Sequence, residues 1–289
     1  MYKSKGQILV PGLLNKEFCP PDTKFTGFKF KSGNNLWSKV KNSSVPWDIY
    51  SVNQCESTMD SLFYLIEKEK KKDFSSLIAM SQNKGRGQYK KKWYSPKGNL
   101  SVSIHLPFIF NNQWSENYLP LIFGNLLTEA LSDFGIITQI KWPNDIFFKG
   151  KKLGGILVEK KRNFYLAGIG MNLVSIPGDD ELEDEFSIKP GSLLEEGINI
   201  NSPLIFWDFV LEHFYSFFDK RLAKESPSDL INSLIRKLAW LDEEVFLDDP
   251  YTGIKKYILK GLSEEGGLLL YDGRTTKVVY SGRIRPVNN

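Results

Sequence analysis

The sequence predicts an α+β protein, a mixed sheet with flanking helices followed by a small antiparallel β-barrel. Three observations carry that prediction. From Lys141 to Glu159 the chain reads as strand, tight corner, strand, turn, strand. Apolar residues recur at helical spacing in separate stretches, as Met59, Leu62, Phe63 and Ile66, then Ile122 to Phe134, then Phe206 to Phe217. Beyond about Trp240 the texture changes to short strands, with turns at Asp249-Pro250, Gly261, Glu265-Gly266-Gly267 and Asp272-Gly273. A chain of 289 residues has room for one large domain and one small one. The boundaries fall near residues 45 and 239, giving an N-terminal extension (1–45), a main domain (46–238) and a small barrel (239–289).

Residues 1–45 show no sustained period and are broken by Pro11, Gly12, Pro20, Pro21, Gly27 and Gly33. Trp47 to Val52 alternates as a strand, and Ser57 offers an N-cap to the first helix, whose basic end, Lys68 to Lys72, reads as a solvated helix terminus. Ser76 to Met80 is a buried strand leading into the glycine-rich turn Gly85-Arg86-Gly87 and then Lys90-Lys91-Lys92-Trp93. Leu100, Val102, Ile104 and Leu106 alternate with Ser101, Ser103 and His105, a half-buried strand with His105 on its surface face. The Ile122–Phe134 stripe closes at Gly135. Phe164 to Leu173 is a further strand ending in glycines that mark a close approach of backbone or ligand. Asp179 to Glu185 reads as an exposed acidic loop, and His213, on the apolar stripe of the third helix, as a core histidine. A short helix follows Pro227.

Composition excludes several classes. Apolar residues at 41% and aromatic residues at 13% mark a globular chain. No apolar run spans a bilayer and the N-terminus lacks a signal-peptide core, so a cytoplasmic protein with no membrane partner is expected. Two cysteines, Cys19 and Cys55, make no disulfide framework, and two histidines give no zinc cluster. A net charge of +4 does not by itself mark a nucleic-acid protein.

The chemistry-bearing residues gather at sheet ends. In Lys141-Trp142-Pro143-Asn144-Asp145, Pro143 fixes the corner and the short polar side chains hold it, so an amide, a carboxylate and the ammonium groups of Lys141 and Lys152 ride on rigid elements. Ser57 and Thr58 stand at a helix start, where hydroxyls and backbone N–H groups suit a polar ligand. Gly85-Arg86-Gly87 lets backbone approach a phosphate, yet it lacks the Gly-Lys-Ser/Thr ending of a P-loop, and no Rossmann fingerprint is present.

Four blocks in order resemble the biotin–protein ligases: Gly85-Arg86-Gly87 with Trp93-Tyr94-Ser95-Pro96; Lys141 to Asp145; Lys152-Leu153-Gly154-Gly155-Ile156-Leu157-Val158-Glu159; and Gly168-Ile169-Gly170-Met171-Asn172. The resemblance covers about Trp47 to Leu238 and extends through the C-terminal barrel. It implies a class II synthetase-like catalytic domain with an SH3-like barrel, of the monofunctional kind without a DNA-binding domain. It also implies a reaction in which biotin and ATP form biotinyl-5′-AMP, with Mg²⁺ as cofactor, before biotin passes to a lysine of a carboxylase's biotin carboxyl carrier domain. No specific nucleic acid is implied as a partner. By resemblance, Lys152 and Arg86 are catalytic. Ser57, Thr58, Met59, Gln82, Gly85, Arg86, Gly87, Lys152 and Gly155 bind biotin. Gln88, Trp93, Asn144, Asp145, Gly168 and Asn172 serve the nucleotide, with Asp145 as metal ligand. One departure stands out: the family usually has an arginine where this chain has Gln88. The rival readings are a lipoate–protein ligase, disfavoured by the Lys-Trp-Pro-Asn-Asp block, and a nucleic-acid-binding module built on Lys90 to Lys92 with Trp93 and Tyr94. The latter leaves Asn144 and Asp145 without a use.

Overall fold

The computed structural model describes residues 40, 43–70, 73–107, 117–162, 164–178, 188–222, 224–249 and 253–287, with five two-residue strands before residue 40. Most of the N-terminal extension, Cys19 and the acidic loop Asp179 to Glu185 lie outside the described residues. The elements are β1 (Ser38–Lys39), β2 (Asp48–Cys55), α1 (Thr58–Glu69), β3 (Ser75–Gln82), β4 (Leu100–Pro107), α2 (Tyr118–Asp133), β5 (Gln139–Lys141) and β6 (Asp145–Phe148). They continue with β7 (Lys151–Lys161), β8 (Phe164–Met171), α3 (Pro203–Ser216), α4 (Pro227–Ile235), β9 (Glu244–Asp249), β10 (Gly253–Leu262), β11 (Leu268–Tyr271), β12 (Thr276–Val279) and β13 (Arg283–Pro286). Two compact units result, one of residues 1–109, 153–177 and 191–215, the other of residues 110–152, 178–190 and 216–289.

In the first unit the strand order is β1-β2-β3-β4-β8-β7. β2 and β3 run parallel, with α1 as their crossover, while the remaining pairs are antiparallel, so the sheet is mixed. Ser57 caps α1 by accepting a bond from the Asp60 N–H, and Lys70 closes the helix in the left-handed region at φ 49°. Met59, Leu62, Leu65 and Ile66 pack against Tyr50, Val52, Leu77, Ala79 and Leu166 of the sheet. The other face also meets a helix, since Trp207 of α3 donates its Nε1 proton to Ser76 Oγ at 3.0 Å.

Two-sided covering corrects one expectation. His105 is 1% exposed rather than on the surface: Nδ1 lies 2.9 Å from the Asp73 carbonyl and the ring sits edge-on to Phe164 at 4.8 Å. Strict alternation along β4 implied one wet face, but α1 lies over the polar side, where Ser103 Oγ donates to Thr58 Oγ1 at 2.7 Å. His213 departs the other way. It is half-buried at the edge of the α3 stripe, whose core positions are Phe206, Trp207, Val210, Leu211 and Phe214.

In the second unit, α2 is buried on nearly all sides and ends at Gly135, which takes φ +74°. β5 and β6 form an antiparallel pair with Asp145 opposite Lys141. Ile140 anchors that pair, receiving the Ala239 N–H on its carbonyl at 2.9 Å and donating its own N–H to the Lys237 carbonyl at 2.7 Å. A polar knot ties α2 to the chain near α4: Lys237 donates to Asn125, and Arg221 donates to Glu129 at 3.0 Å. The C-terminal strands form a five-stranded antiparallel sheet in the order β12-β11-β10-β9-β13, as the SH3-like reading requires. Gly261 is not a turn. It sits inside β10 at a register shift opposite β11, with φ +137°, a conformation that glycine alone adopts cheaply.

The turn between β10 and β11 is bonded to the β5–β6 corner. Trp142, 3% exposed, donates its indole N–H to the Gly266 carbonyl at 3.1 Å. Trp142→Phe keeps most of the apolar contact and strands that carbonyl, so it should cost about 1–3 kcal/mol of stability. A chemical-denaturation midpoint equal to that of the unsubstituted chain would show that the corner does not depend on the bond.

Candidate active site

In the first unit the polar residues of the α1 start and the β3 end form a continuous network. Gln82 Oε1 accepts both the Thr58 N–H at 2.7 Å and the Thr58 hydroxyl at 3.0 Å, and Gln82 Nε2 donates to Ser95 Oγ at 2.8 Å. Ser103 completes the chain through Thr58, so every oxygen is oriented by its neighbour. Ser57 and Thr58 are each 3% exposed. A network of this kind presents a fixed array of amide and hydroxyl groups, the type of surface that suits an amide-like ring.

The glycine-rich segment that follows is a small hairpin. Gly87 N–H donates to the Lys91 carbonyl at 2.7 Å, Trp93 N–H to the Gly85 carbonyl at 2.8 Å, and Arg86 bridges Lys92 across the two arms. Its tip is the one-turn helix Gln88–Lys90, with Tyr89 at φ 55° and 71% exposed. Gln88 is half-buried, and its carbonyl accepts the Lys91 N–H at 3.1 Å. Glycine at position 85 is required by proximity, because a Cβ there would stand 2.6 Å from the Trp93 carbonyl oxygen. The Arg86 side chain turns back onto α1 and forms a two-pronged pair with Asp60, its Nη2 donating to Oδ1 at 2.8 Å. That bond lowers the Asp60 pKa and raises that of Arg86. Glu159 of β7 lies 3.9 Å from the same guanidinium.

Neighbouring strands supply close-approach positions. Gly155 pairs with Gly170, and Gly168 with Leu157 and Ser103. The Trp93 ring rests on Gly170, where a Cβ would come within 2.3 Å of Nε1. Gly168 was expected to leave room for a ligand, and the space above it holds Met59, with Sδ 2.9 Å from where a Cβ would be. Asn172, 3% exposed, is set by its backbone, donating to the Leu153 carbonyl at 2.8 Å and accepting from Leu193 N–H at 3.1 Å.

In the second unit the corner between β5 and β6 gathers three charges. Asp145 Oδ2 accepts from Lys141 Nζ at 3.0 Å, and Oδ1 pairs with Lys152 Nζ at 2.7 Å. Burial alone would raise the Asp145 carboxyl, but the two ammonium groups outweigh it and hold it down at about 2. Asn144, half-buried, closes the corner by donating its N–H to the Lys141 carbonyl at 3.2 Å. The Lys152 backbone is fixed from another direction, through its N–H to the Lys189 carbonyl at 2.9 Å and a parallel bridge to Pro190.

The structure thus brings Thr58 and Gln82 into one network beside the Ser57 cap, Gly85, Arg86, Gly87, Gln88 and Trp93 into one hairpin, and Asp145 and Lys152 into one clamp. Sequence reasoning passed over Ser103, Asp60 and the full part of Lys141. Asp60, three residues after the Ser57 cap, carried a readable signal as an acid in the first helical turn. Asp145 does not fit a bound divalent cation as it stands, since both of its oxygens already face ammonium groups. Among the described residues no three His, Cys, Asp or Glu side chains gather as metal ligands.

Residues 51–173 match the biotin/lipoate A/B protein ligase family. Over 232 residues the chain is 34% identical to the bifunctional ligase/repressor BirA of Bacillus subtilis, covering 72% of this chain and 65% of that protein. It is 30% identical over 129 residues to the biotin–[acetyl-CoA-carboxylase] ligase of Mycobacterium tuberculosis, covering 42% of this chain and 46% of that one. The chain therefore spans about two-thirds or less of the length of these relatives. Among solved structures, the biotin protein ligase from Aquifex aeolicus in complex with biotin and ATP superposes with a TM-score of 0.68 and 29% identity, covering 82% of this chain and 98% of that one. Residues 51–173, with their ordered hairpin, corner and glycine-ended strand, are thus a domain matching the biotin/lipoate A/B protein ligase family.

Proposed function

We propose that this chain is an ATP-dependent biotin–protein ligase of the cytoplasm, which makes biotinyl-5′-AMP and passes biotin to a lysine of a carboxylase's biotin carboxyl carrier domain. The observation that carries this reading is the cluster of two ammonium groups on one buried carboxylate at the Lys-Trp-Pro-Asn-Asp corner. Joining a carboxylate to an α-phosphate brings two anions together, and the first requirement is fixed positive charge rather than a base. A carboxylate oxygen of biotin attacks the α-phosphorus, the bond to the bridging oxygen breaks, and pyrophosphate leaves. The ε-amine of the acceptor lysine then attacks the biotinyl carbonyl, losing a proton as AMP departs, and an amide results.

In this reading Lys152 offsets charge between the reacting anions. Ser57, Thr58 and Gln82, with Met59 and the Gly85–Gly87 backbone, hold the ureido ring, and Gly155 lies beside the bound acid. Trp93, Asn144, Gly168 and Asn172 serve the nucleotide. Arg86 acts by holding the hairpin to α1 through Asp60 rather than by touching phosphate. Mg²⁺ enters as the companion of ATP, with no protein ligand assigned to it. The residue ranges 46–238 and 239–289 are the catalytic and barrel domains of this reading, supported at the second boundary by the sheet that runs from Glu244 to Pro286.

Biotin-dependent exchange of pyrophosphate into ATP, run beside lipoate, tests the assignment: exchange with biotin supports it, and exchange with lipoate alone replaces it. Lys152→Ala should lower the biotin-dependent exchange rate by about 10²–10³-fold, the usual cost of one preorganised charge donor. Lys152→Met, which keeps the stem, should fall as far. Near wild-type exchange in both would remove Lys152 from the reaction.

The hairpin tip generates a separate expectation. A neutral amide at position 88 holds a phosphate about half as strongly as an arginine would. Gln88→Arg should therefore reduce acceptor-free AMP release from biotin and ATP by about 5-fold, a gain of roughly one charge-assisted bond. Lys90→Ala combined with Lys91→Ala should raise it. Unchanged release in both would show that the intermediate is retained by the hairpin backbone alone.

A further inference from the structure

We infer that Lys141 is a positioning residue for adenylate formation, because it keeps Asp145 neutralised while Lys152 transfers its ammonium from Asp145 to the reacting anions. The inference rests on the ligase reading and adds a residue and a step to it.

The three side chains differ in a way that assigns the mobile partner. Lys141 and Asp145 are direct partners across the β5–β6 pair, and their side chains are 11% and 10% exposed. Lys152 is 31% exposed and pairs with the other oxygen of the same carboxylate. Its backbone is held by Lys189 and Pro190, so a rotation about the side-chain bonds is the available movement. A carboxylate buried to this degree tolerates the loss of a cation only if another remains, since an uncompensated buried charge is strongly unfavourable. With Lys141 in place, Lys152 leaves behind a neutral Lys141–Asp145 pair and brings a whole positive charge to the substrate. Without Lys141 the same movement strands a bare carboxylate, and Lys152 stays bound to Asp145. The arrangement also gives Asp145 a use that needs no metal.

The test compares Lys141→Met with the double variant Lys141→Met, Asp145→Asn in biotin-dependent pyrophosphate exchange, with folding checked by thermal unfolding. Lys141→Met should reduce kcat by about 10²-fold, with a smaller change in KM for biotin, because Asp145 then holds Lys152 back. The double variant should recover to within about 10-fold of the unsubstituted protein, because a neutral amide needs no counter-ion. A lost packing contact would not be rescued by that second change. Near wild-type kcat in Lys141→Met overturns the inference, and so does a folded double variant with no recovery, which would give Asp145 an essential charge of its own. Should Lys141→Met fail to fold, the double variant alone decides by the same criterion. If the unsubstituted chain exchanges no pyrophosphate with biotin, the ligase reading falls and this inference falls with it; if it does and Lys141→Met is unaffected, only the inference falls.

Discussion

The β5–β6 corner depends on a carboxylate that is costly to bury and is held by two cations. Asp145 is 7% exposed, and isolation at that depth would force it to take up a proton. Lys141 and Lys152 keep it ionised, with its carboxyl held down at about 2. Backbone and side-chain bonds around the corner keep the three groups in register. Asn144 closes the turn, Ile140 is tied to Lys237 and Ala239, and Trp142 is pinned to the C-terminal sheet through Gly266. The turn between β10 and β11 thus contributes a buried bond to the corner.

The first unit solves a different problem, the presentation of polar groups without leaving them unsatisfied. Thr58, Gln82, Ser95 and Ser103 occupy one another's hydrogen-bonding positions. Such mutual satisfaction fixes rotamers before a ligand arrives, which favours binding by lowering the entropy still to be lost. The Arg86–Asp60 pair does the same for the hairpin, fastening a loop to the helix that carries Ser57 and Thr58. A charge run that reads as a nucleic-acid patch in the sequence is, in the structure, one arm of a backbone-bonded hairpin whose partner arm holds Arg86.

Legibility followed the physics of each feature. The strand–corner–strand stretch was readable because Pro143 and two short polar residues interrupt strongly apolar runs, and the three helical stripes because their apolar residues recur at helical spacing. His105 was misplaced because period-2 alternation tells which side chains share a face, but not whether a helix covers it. Gly261 was read as a turn because a glycine at a bulge and one in a turn look alike in sequence. The clamp was half visible: Lys152 and Asp145 stand in conspicuous blocks, while Lys141 gains its meaning from cross-strand pairing, which only the register reveals.

In the proposed reaction the ammonium of Lys152, held at rest by Asp145, passes to the two anions as they join, and a crystal of this chain soaked with biotin and ATP shows whether it does. The expected density is that of a mixed anhydride with Lys152 Nζ against its phosphate and Asp145 still paired with Lys141. An adenylate bound with Lys152 remaining on Asp145, or a metal ion coordinated by Asp145 in place of Lys141, would contradict it.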